Sequence, residues 1–77
     1  MSEQRLFKCR ILYGYDREAG GLANAYAYAT VRLAAEAWLN ENNREDHLVN
    51  VYDNQERGLL FVLSDRDTAL MLKLALA

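Results

Sequence analysis

A chain of 77 residues has room for one domain, and at 52% hydrophobic with five tyrosines and one tryptophan it lacks the makeup of a disordered chain. Its formal net charge of -2 supplies no overall positive field to gather nucleic acid or an anionic membrane surface. The single cysteine excludes an intramolecular disulfide, no apolar run approaches the roughly 20 residues of a membrane span or the layout of a secretory leader, and the cytosol is the expected setting.

The first periodic segment is LFKCRILY, in which Phe7, Cys9, Ile11 and Tyr13 alternate with Lys8, Arg10 and Leu12. That is the period of a half-buried strand. Cys9, on the same face as Phe7 and Ile11, reads as a small buried hydrophobe rather than a reactive thiol.

Three glycines follow, Gly14, Gly20 and Gly21, between this strand and an apparent helix. A Walker loop needs Lys and Ser or Thr after its last glycine, and here Leu22, Ala23 and Asn24 stand there. The spacing also misses a dinucleotide fingerprint, and Asp16 and Glu18 would repel a phosphate. The glycines therefore read as turn punctuation that leads the chain into its helix.

From Leu22 to Asn40 the period becomes helical, with Leu22, Tyr26, Ala29, Leu33 and Ala37 on one face and seven alanines between Ala23 and Ala37. Tyr28, Val31, Ala35 and Trp38 occupy neighbouring angles, which is more apolar surface than one small sheet needs. The polar run from Asn40 to Asp46 ends the helix. LVNVYD, from Leu48 to Asp53, and GLLFVL, from Gly58 to Leu63, then read as a hairpin across Asn54–Arg57, the second strand apolar on both faces as a central strand is. Ser64 with Asp67 three residues on is a capping signal, and a helix carrying Leu70, Met71, Leu72, Leu74 and Leu76 is expected to run to the C-terminus.

The predicted fold is α+β, one domain over residues 1–77 in the order β-α-β-β-α. It is a truncated ferredoxin-like arrangement, a three-stranded antiparallel sheet of order 1-3-2 with both helices on one face. Such a sheet leaves the first strand as an unpaired edge that invites a second chain. Chemistry is harder to find. His47 is the only histidine and has no partner in sequence for a metal site, the mixed-sign clusters in turns read as solubilising surface, and no catalytic residue, cofactor or metal is expected. A chain this short also buries only about 60–65% of its unfolded surface, so a partner would add to a marginal core.

The C-terminal run from Phe61 to Asp65, then Thr68 to Leu74, resembles the ending of small uncharacterised proteins of tailed bacteriophages, and Ala34 to Trp38 with the following Asn-Glu-Asn is similar too. Leu72 stands where those proteins usually have Phe, and Thr68 where they have an acid. The resemblance implies no activity; it implies a phage accessory protein made in a bacterial cytoplasm.

The functional expectation is a non-enzymatic protein-interaction module, a homodimer or an adaptor or inhibitor of another protein. Its interface is expected among Lys8, Arg10, Leu12, Tyr28, Trp38, Leu70 and Leu74, because aromatic and large apolar residues in excess of core needs mark interfaces. The alternative is a nucleic-acid module that uses Lys8, Arg10 and Tyr52 on the outer sheet face. Neither a cofactor nor a membrane is an expected partner.

Overall fold

The computed structural model describes residues 5–76. Three strands, β1 (Phe7–Ile11), β2 (Leu48–Asn54) and β3 (Gly58–Leu63), form an antiparallel sheet in the order β1-β3-β2. Helix α1 (Gly21–Glu41) lies between β1 and β2 in sequence, and α2 (Arg66–Leu76) follows β3. The expected topology is the observed one. The last position of the expected final helix, Ala77, lies outside the described residues.

The registers show why β3 is central and apolar throughout. Cys9, Phe61 and Val51 form one row across the sheet, with Ile11, Leu59 and Asp53 in the next, and all point to the helical side. Phe61, Leu59 and Leu63 are fully buried there, joined by Ala35 and Leu39 from α1 and by Thr68, Ala69 and Leu72 from α2. The other face carries the rows Lys8–Val62–Asn50 and Arg10–Leu60–Tyr52.

Both ends of α1 are built locally. At its start, the Asn24 side chain donates to the Asp16 carbonyl at 2.7 Å and accepts the Asp16 N–H at 2.9 Å, which ties the glycine loop to the first turn. At its end, Asn43 takes a left-handed conformation (φ 56), the Asn43 N–H bonds Asn40 and the Arg44 N–H bonds Leu39. This is a Schellman stop with Asn in the place usual for Gly. The polar run ends the helix through that one residue.

Two expectations change in detail. The stripe Leu22, Tyr26, Leu33 does not face the core; those side chains are 88%, 76% and 63% exposed. Tyr28, Val31, Ala35, Trp38 and Leu39 face inward instead. The second stripe prevails because it holds the small Ala35, which the core buries completely, and continues to Leu39 at the helix end, whereas the first runs out into Glu36 and Asn40.

The cap of α2 also moves one residue. Asp65, not Ser64, accepts the Thr68 N–H at 3.0 Å and the Thr68 hydroxyl at 2.6 Å. Arg44 closes the group with its guanidinium 3.2 Å from Asp65 and 2.8 Å from Thr68 Oγ1. Ser64 instead meets His47 across the strands, with the Ser64 N–H donating to the His47 carbonyl at 2.9 Å.

Candidate interaction surfaces

Backbone alternation decides which groups of the sheet edge are free. Because the Ser64 N–H points to β2, the even-numbered residues of β3 turn their amides toward β2 and the odd-numbered ones toward β1. Phe7, Cys9 and Ile11 are therefore engaged with β3, and the N–H and C=O groups of Lys8 and Arg10 face the open edge. The Arg10 carbonyl there is taken by the Nζ of Lys73, which reaches it from α2. A lysine placed on an edge strand opposes pairing with another strand.

Among the described residues no helix covers the outer sheet face, and its rows hold Lys8 and Arg10 but no acid. Leu12 and Tyr52 stand exposed at 68% and 53%, and Asn50 donates to the Tyr52 hydroxyl at 3.0 Å. Arg10 lies half-buried, with Nη1 shielded from solvent and lacking a hydrogen-bond partner among the described residues. The structure thus brings Lys8, Arg10, Leu12 and Tyr52 onto one side. Tyr28 and Trp38 lie elsewhere, half-buried against the core, while Leu70 and Leu74 of α2 are exposed.

The back of α1 carries an apolar strip whose large side chains are exposed. At 3.6 residues per turn, Leu22, Tyr26, Ala29 and Leu33 fall within about 60° of one another and run about 16 Å along the helix, roughly half a turn from the inward face. Their spacing of four, three and four is that of a helix-pairing seam.

Near the start of α1, on its inward side, the Tyr13, Tyr15 and Tyr28 rings gather. Tyr15 and Tyr28 each stand edge-on to Tyr13, at 80° and 87°, with centroids 6.5 and 5.8 Å away. The Tyr13 hydroxyl donates to Asp53 Oδ1 at 2.8 Å. Burial first, and then that hydrogen bond to a carboxylate, push the Tyr13 hydroxyl up to about 12, so it remains a donor. The rings, Asp53 and the Gly20–Gly21 turn border an open cavity of about 380 Å³. Sequence reasoning missed this group, because its members lie far apart in the chain. The one available signal was Asp53 on an inward position of β2.

The other polar groups read as structural. Cys9 is buried, and burial raises its thiol above the ordinary range despite the nearby Lys73. His47 Nδ1 is 3.2 Å from Ser64 Oγ, but the neighbouring carboxylate, Asp65, is committed to capping α2. Among the described residues no three His, Cys, Asp or Glu side chains converge as a metal site, and no helix is long and apolar enough to cross a membrane. Comparisons with protein families, with curated proteins and with solved structures found no match.

Proposed function

We propose that this chain is a non-enzymatic protein-interaction module that works as a homodimer, two copies pairing through the back of α1. The observation that carries this reading is the seam Leu22, Tyr26, Ala29, Leu33, in which the three large side chains are exposed and Ala29 is half-buried between them. Set antiparallel about a two-fold axis midway between Tyr26 and Ala29, the seam complements itself. Leu22 meets Leu33 of the second copy, and the bulky Tyr26 meets the small Ala29. A second copy is thus a better fit than a partner of unrelated sequence, and the flanking Ala25 and Thr30 let the helices approach closely. The likeness of the C-terminal run to phage proteins supports a bacterial cytoplasm as the setting.

Sedimentation equilibrium over a concentration series tests the proposal. The wild type should dimerise, and Leu33→Lys or Tyr26→Lys should give a folded monomer, since each puts a charge into the seam without touching the core. A wild type that is monomeric at high micromolar concentration defeats the reading. So does a dimer that survives both substitutions.

A second reading is favoured by one observation, the acid-free outer sheet face with Lys8, Arg10 and Tyr52. In that reading the face holds single-stranded nucleic acid, with a base stacked on Tyr52. Binding would then weaken steeply with added salt, and Arg10→Ala would reduce the slope, whereas pairing through α1 is insensitive to salt.

A further inference from the structure

We propose that the cavity between Tyr13, Tyr15 and Tyr28 is a binding site for an alkylammonium group, held against the tyrosine rings with Asp53 as its counter-ion. The rings supply the shape. Two of them stand nearly perpendicular to the third, so a cation entering the cavity meets aromatic surface from more than one direction. The cavity, about 380 Å³, is at the small end of ligand pockets and suits one such group rather than a nucleotide.

The charges agree. Arg17 on the rim is paired with Glu56 at 3.0 Å, and Arg32, which lies outside the cavity over the Tyr28 ring and donates to its hydroxyl, is paired with Glu36 at 3.1 Å. Asp53 has no cationic partner among the described residues. Its Oδ1 already accepts from the Tyr13 hydroxyl and the Gln55 N–H, at 2.8 and 3.0 Å, which orients the carboxylate. No bond from the described residues falls on Oδ2. The start of α1 opposes a cation with about half a positive charge, which the full charge of Asp53 exceeds. The glycine loop that fails as a phosphate cradle thus forms one wall of a site of opposite preference.

The test is an NMR titration of the full chain with tetramethylammonium chloride, following backbone amides and tyrosine rings. Saturable shifts confined to Tyr13, Tyr15, Gly20, Gly21 and Tyr28 are expected, while tert-butanol, close in shape but uncharged, leaves them in place. Asp53→Asn should weaken binding at least about tenfold, and Tyr15→Leu should weaken it too, with resonances away from the cavity unmoved to show that each variant is folded. Repeating the titration with n-butylammonium and with a capped tripeptide bearing one lysine identifies the source. Tighter binding of the peptide selects a lysine side chain of a protein, and tighter binding of butylammonium selects a free amine. Either upholds the class. The proposal is overturned by the absence of saturable shifts, by an equal response to tert-butanol, or by a preference for sodium acetate, which would make this an anion pocket at the start of α1.

Discussion

Gly58 is the residue on which the sheet's geometry turns. It opens β3 with φ 89 and ψ -165, a region that side chains other than glycine's essentially never enter. A Cβ there would also run into the Ile11 carbonyl and lie 2.8 Å from the Leu12 Cα, both of them backbone that cannot rotate aside. The 3₁₀ turn of Gln55–Arg57 can therefore deliver the chain alongside β1 only if position 58 has no side chain. Gly58→Ala should cost about 3 kcal/mol, the backbone strain plus the collision, as measured by urea denaturation. A loss under about 1 kcal/mol would mean that the end of β1 moves away freely. By contrast, Gly20 and Gly21 have open space where a Cβ would go, although Gly20 keeps a positive φ. Sequence alone ranked the glycines the other way, drawing attention to Gly14, Gly20 and Gly21 and reading Gly58 only as the first residue of the second hairpin strand.

At the scale of elements, α2 is held at its start by Asp65. The Thr68 hydroxyl, and then the Thr68 amide, hold the Asp65 carboxyl below the usual carboxylate range. A carboxylate whose value falls on folding contributes stability above its unfolded value, and that contribution is lost as pH drops through the lowered folded value. The chain should thus lose stability in acid, and Asp65→Ala should flatten that part of the profile while lowering stability at neutral pH by an amount typical of a lost N-cap. Thermal melts across an acidic pH series check this; a variant with the wild-type acid slope would place the effect on other carboxylates. The sequence located this cap only to within a residue, because Ser64 and Asp65 are both capping types and only the pairing of Ser64 with His47 removes the first from consideration. Strand order was legible for a firmer reason. Only GLLFVL is apolar on both faces, and so only it could sit between two neighbours. The two stripes of α1 were not separable from sequence, since both are apolar at helical spacing and what chooses between them is Ala35 fitting close against the core.

For the whole molecule, the arrangement leaves the chain with two sheet edges and one uncovered sheet face, which makes uncontrolled strand pairing its main hazard. At β1 the open N–H and C=O groups belong to Lys8 and Arg10, and Lys73 reaches from the last turns of α2 to bond the Arg10 carbonyl and leave a charge beside it. That contact joins residues far apart in the chain, and it turns an edge that the sequence marks as inviting into a guarded one. If a dimer forms through α1, its stoichiometry stays at two only while this guard holds, because each copy would otherwise offer β1 to another. Lys73→Ala should therefore leave the fold and the dimer intact but add larger species whose share grows with protein concentration, read by sedimentation velocity. Adding Lys8→Pro should suppress those species, since the Lys8 amide faces outward and its loss removes an intermolecular donor without breaking a bond to β3. Growth of larger species in Lys73→Ala that Lys8→Pro does not suppress would move the contact off β1, to the outer sheet face or to the β2 edge. A Lys73→Ala chain that remains no larger than the wild type would show that the lysine does not guard this edge.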